Sequence, residues 1–168
     1  MRVLLLVGIM GCGGGDEPED EAPVTVEVTE SSFGCVTDMA PIRVFYATNL
    51  LGDLDATRAM ETAPQGTAWP VGSLIQLIPT EAMVKRESGF NEASHDWEYF
   101  SLRVDASGTE IVQRGTDDVE NAAGGNCQSC HAAAQDWDLV CERDHGCVAL
   151  PFSDDTIRAI QDGDPRCE

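Results

Sequence analysis

Basic residues are scarce in this chain. Its 168 residues include ten Lys and Arg, only one of them lysine, against thirty Asp and Glu, giving a formal charge of −20. A surface so negative repels phosphate backbones, which argues against nucleic-acid binding. The acid excess runs along the whole chain. It reads first as solubility in a particular milieu and second as docking to a basic redox partner. A long apolar run is also missing. Residues 3–10 form an apolar stretch too short to span a bilayer as a mature helix. Histidine is limited to His95, His131 and His145, and no methionine follows Met83. The length is that of one domain with a single core.

The N-terminal stretch fits a cleaved export signal, with Arg2 ahead of the apolar run. Ile9-Met10-Gly11-Cys12 resembles the bacterial lipobox, so residues 1–11 are read as a lipoprotein signal and Cys12 as the acylated first residue of the mature chain. Residues 12–23 hold glycines, acids and prolines without hydrophobic periodicity, which suits a tether. This predicts a lipid-anchored protein on the periplasmic side of a bacterial membrane, inner or outer. Residues 24–168 are the expected domain.

Export implies an oxidising compartment, where spare cysteines pair. The chain has seven: Cys12, Cys35, Cys127, Cys130, Cys141, Cys147 and Cys167. Cys127-Gln128-Ser129-Cys130-His131 is a C-x-x-C-H segment, the attachment signature of haem c. One helical turn presents both thiols to the two vinyl groups, and the adjacent imidazole reaches the iron. A structural zinc site needs four ligands, and no second C-x-x-C exists here. A thioredoxin-like pair would open a helix in a βαβ pattern, and none is visible. With Cys12 on lipid and two cysteines on haem, Cys35, Cys141, Cys147 and Cys167 remain. Three connectivities are open; Cys141–Cys147 closing a short loop, with Cys35–Cys167 joining the chain ends, is preferred. The lack of a late methionine removes the usual Met ligand. His95 and His145 lie in charged, loop-like segments and read as exposed, so the iron is expected five-coordinate or water-capped.

Residues 42–143 resemble the cytochrome P-460 family and its relative cytochrome c-prime beta. The resemblance is carried by Ile42-Arg43 opening a strand through Tyr46, and by Trp69-Pro70-Val71-Gly72-Ser73, similar to a W-P-D-G-T turn. Met83-Val84-Lys85 with Phe90 and Trp97 adds to it, as does the C-x-x-C-H segment followed by Asp138-Leu139-Val140. It implies an α+β domain, mostly antiparallel β-sheet with a few helices, one bearing the haem-attachment motif, and a homodimer. The coarse pattern agrees. Strands are expected at 72–78 and 97–104, a turn at 106–108 with a returning strand at 109–114, and helices at 50–61 and 126–139.

In the family's hydroxylamine-oxidising branch a lysine is cross-linked to haem five residues after the turn glycine. Here that position is Leu77. The resemblance therefore points to the uncross-linked, gas-binding branch, with Leu77 and Ile75 on an apolar distal face; plain core packing is the rival for Leu77. Lys85 reads as a turn or ion-pair residue. Arg43 stands either near the haem or in a surface salt bridge. Trp97, Tyr99 and Phe100 line the haem or fill the core. Asp138 either hydrogen-bonds His131 or is solvated. The expected function is a monohaem c-type cytochrome binding NO or CO, or transferring electrons. The alternatives are a haem enzyme oxidising a hydroxylamine-like compound or using peroxide, and a degenerate scaffold without haem.

Overall fold

Six short strands build one antiparallel sheet, whose order follows the chain. The structure is a computed structural model that describes residues 24–122, 124–150 and 152–167. The expected signal, the acylated Cys12 and the tether lie outside the described residues. The strands are β1 Ala40–Ile42, β2 Phe45–Asn49, β3 Ser73–Gln76, β4 Glu81–Lys85, β5 Trp97–Asp105 and β6 Gly108–Gly115. Three short helices complete an α+β domain: α1 Leu54–Ala59, α2 Cys127–His131 and α3 Asp154–Asp162. Among the described residues no helix is long and apolar enough to cross a membrane.

Each face of the sheet has its own core. On one face Ala47, Ile75, Met83 and Tyr99 are successive cross-strand partners. Trp69, Val119, Cys127, Leu139 and Val140 cluster with them. On the other face Leu74, Val84, Ala82, Phe100 and Leu102 pack beneath Val26, Val28 and Phe33 of the N-terminal segment. The sheet is thus covered on both sides, which explains why β3 is buried at every position rather than alternating.

Several expected boundaries move for identifiable reasons. Arg43 is not inside a strand: it has φ 55° in the two-residue turn that joins Ile42 to its partner Phe45. The expected helix at 50–61 starts only at Leu54, because Asp53 caps it by accepting from the Ala56 N–H. The one expected at 126–139 stops being α-helical at His131 and continues as a 3-10 stretch, Ala132–Trp137. Helix α3 was not foreseen. Ser153 caps it and accepts from the Thr156 N–H, and its buried Gln161 donates to the carbonyls of Val44 and Leu77.

The Trp69 turn needs its glycine. Gly72 has φ 86°, and a Cβ there would lie 2.8 Å from Asn49 Oδ1 and 2.9 Å from Leu51 Cγ. Its N–H donates to the Lys85 carbonyl.

Candidate functional site

Helix α2 is one turn long and carries the whole C-x-x-C-H segment. Asn126 caps it, accepting from the Ser129 N–H at 2.8 Å. Cys127 faces the core and Cys130 is exposed. The other four cysteines of the described domain are joined as Cys35–Cys167 and Cys141–Cys147. Cys127 and Cys130 are therefore free thiols on a single helical turn, ahead of His131.

Burial pushes the Cys127 thiol up to about 11, with the Glu81 carboxylate and Cys130 adding to the effect. A redox-active C-x-x-C has the opposite, a thiol pKa lowered toward neutrality. Among the described residues no three His, Cys, Asp or Glu side chains gather in a way that could hold a metal ion.

His131 is held from two sides. Its Nδ1 lies 2.7 Å from the Leu139 carbonyl oxygen, so the Nδ1–H donates and Nε2 is left with its lone pair. The Tyr99 ring meets it edge-on, with centroids 5.2 Å apart. Burial lowers the His131 pKa, partly offset by the Leu139 hydrogen bond. A neutral imidazole with an oriented Nε2 is the form that ligates a metal.

The donor set fits a covalently attached haem: two free thiols, an imidazole poised through Nε2, and an orphaned polar atom close by. The Tyr99 hydroxyl is buried without a partner, as is Oε1 of Gln128 within α2. Burial raises the Tyr99 pKa strongly, and Cys127, Asp138 and Cys130 add to it. Tyr99 is a neutral phenol with an unpaired hydroxyl.

Leu77 is half-buried against the core cluster that contains Ile75, Tyr99 and Cys127. Ile75 is fully within that cluster. Both share the sheet face that Tyr99 presents to His131. Trp97 and Tyr99 belong to this face, whereas Phe100 belongs to the opposite core.

Arg43 takes the salt-bridge alternative. Its guanidinium binds Glu142 at 2.5–2.7 Å and donates to the carbonyls of Met60 and Glu61. It lines a cavity of about 210 Å3 with Trp69, Trp137 and His145, and that lining does not include Cys127, Cys130 or His131.

Asp138 neither bonds His131 nor faces solvent. It is buried, and its carboxylate accepts from Lys85 Nζ at 2.7 and 2.9 Å and from the Trp69 N–H at 2.8 Å. The main chain of its neighbour supplies the His131 contact instead. The two histidines expected to be solvated are also engaged. His95 Nδ1 lies 3.2 Å from Asp138 Oδ1, and His145 stacks on Trp137 at 4.0 Å while bonding the Val140 carbonyl. Sequence reasoning could not see the Leu139 carbonyl, because a backbone acceptor leaves no residue-type signal. Glu81 was missed as well: it lies on β4 with no motif around it, yet its charge reaches Cys127.

No protein-family model matches the chain, no curated protein matches it, and no solved structure matches its fold.

Proposed function

We propose that this protein is an exported monohaem c-type cytochrome. Residues 24–168 form the haem domain, similar to the cytochrome c-prime beta-like branch of the cytochrome P-460 family. Cys127 and Cys130 hold the haem by thioethers, and His131 is the axial iron ligand. The observation that carries the reading is the cysteine partition. Four cysteines are consumed in two disulfides, and the pair left free is the one that precedes a histidine with an oriented Nε2.

The bound haem would supply an iron centre for diatomic gases or single electrons. The chain's own residues set its surroundings. Leu139 fixes the imidazole, Tyr99 offers an unpaired hydroxyl, and Ile75 and Leu77 contribute apolar surface on that face. Lys85 is the chain's only lysine, and its ammonium is taken up by Asp138. That supports the uncross-linked branch and a role in binding NO or CO, or in electron transfer. Cys12 is the membrane anchor in this reading, on the periplasmic side.

The test is the optical spectrum of the matured protein, oxidised and reduced, with and without NO. Haem that resists acid-acetone extraction and a high-spin spectrum shifted by NO are expected. His131→Ala should abolish that spectrum. A matured chain without covalent haem, or a His131→Ala spectrum equal to wild type, rejects the assignment.

A further inference from the structure

Two successive non-glycine residues, Asp138 and Leu139, stand in the left-handed region at φ 51° and 61°. Such a corner persists only when its surroundings over-determine it. Here they do. The Asp138 carboxylate accepts both Lys85 contacts and the Trp69 N–H, and its backbone carbonyl accepts from Trp97 Nε1 at 2.7 Å. Lys85 Nζ also donates to the His95 carbonyl at 2.6 Å. The Leu139 N–H donates to the Ala134 carbonyl at 3.0 Å, and the Leu139 side chain is fully buried. The next atom group along the chain is the Leu139 carbonyl that binds His131 Nδ1.

From this geometry we infer that the buried Lys85–Asp138 ion pair is a positioning device for His131. The Asp138 side chain makes no hydrogen bond to His131; its hold is through the main chain. It fixes the corner, the corner fixes the Leu139 carbonyl, and the carbonyl fixes the tautomer, orientation and donor strength of the imidazole. The inference rests on the haem c reading for its consequence at iron, but the hold on the imidazole belongs to the chain alone. Second-sphere acceptors on Nδ1 raise the basicity of a ligating histidine. Loosening the corner weakens that bond, and the imidazole becomes a poorer electron donor.

The experiment compares wild type, Asp138→Asn, Lys85→Met and Trp97→Phe as matured, haem-loaded proteins. Readouts are the iron–histidine stretching frequency of the reduced form and the midpoint potential. Asp138→Asn and Lys85→Met are expected to lower the frequency and raise the potential, with covalent haem retained. Trp97→Phe removes one hydrogen bond and leaves a smaller aromatic ring in the core, and should shift both in the same direction by less. If the ion-pair variants fail to mature, Trp97→Phe decides. Variants with covalent haem and wild-type values of both readouts overturn the inference. A wild-type chain without covalent haem rejects the haem reading instead. In that case the His131 ring nitrogen shifts of the same proteins are compared: a wild-type Nδ1–H tautomer lost in Asp138→Asn sustains the positioning role, and an unchanged tautomer overturns it.

Discussion

Tyr99 combines a buried ring with an unsatisfied polar group in one side chain. Its ring fills the core at 2% exposure, yet its hydroxyl is buried without a partner. Leaving a buried donor unsatisfied costs about 1–3 kcal/mol. Removing that hydroxyl should therefore stabilise the protein wherever no ligand supplies an acceptor. Tyr99→Phe is expected to raise the stability of the haem-free, full-length chain by roughly 1 kcal/mol in chemical denaturation. In the proposed haem-loaded form an acceptor supplied at the site would make that gain shrink or reverse. An equal gain in both forms would show that Tyr99 plays no part in the site.

Elements here are short and depend on side chains that cross between them. Helix α3 has nine residues and a buried seam of Ile157 and Gln161, one turn apart. Beyond it, Asp164 accepts from the Val36 N–H at 2.9 Å and binds Arg166, joining the C-terminus to the N-terminal segment. Burial alone would raise the Asp164 pKa, but the Arg166 bonds and the backbone N–H groups outweigh it and hold the carboxyl below its ordinary value. A carboxylate with a depressed folded pKa stabilises the fold above its unfolded pKa, near 3.8, and that contribution is lost as pH falls through the folded value. Asp164→Asn should lower stability at neutral pH and flatten the acid limb of a stability–pH profile below about pH 4. A profile parallel to wild type in that range would remove Asp164 from the acid transition.

Across the whole molecule, charge and covalent links work at different ranges. Seven of the ten basic residues are bound to carboxylates: Arg43, Lys85, Arg86, Arg103, Arg114, Arg143 and Arg166. Such pairing leaves a strongly anionic surface, which repels nucleic acid. Folding against that self-repulsion needs support, and the Cys35–Cys167 bond spans 132 residues. Closing so long a loop stabilises by on the order of 4–5 kcal/mol in the chain-entropy view. Replacing both cysteines by Ala should cost most of that in denaturant titration. Losing the six-residue Cys141–Cys147 closure should cost distinctly less. Equal losses would mean that both bridges act through native contacts rather than through the unfolded chain.

The sequence by itself determined what is local and chemical. The C-x-x-C-H spacing places two thiols and an imidazole on one turn, and that is how α2 presents them. The two-residue loop after Asp105 closes a hairpin, and the aromatic run from Trp97 forms a long strand. Tertiary structure alone decided what those residues touch. Asp138 looked equally suited to His131 or to solvent, and only the fold brings Lys85, 53 positions earlier, against its carboxylate. The N-terminal segment alternates Val24, Val26 and Val28 with polar residues, but which surface it covers depends on partners in β3, β4 and β5. His131 is held by a main-chain carbonyl, and a backbone acceptor is the same group whatever residue carries it. Such an acceptor is placed by the corner at Asp138 and Leu139, which long-range bonds from Lys85 and Trp97 hold in place.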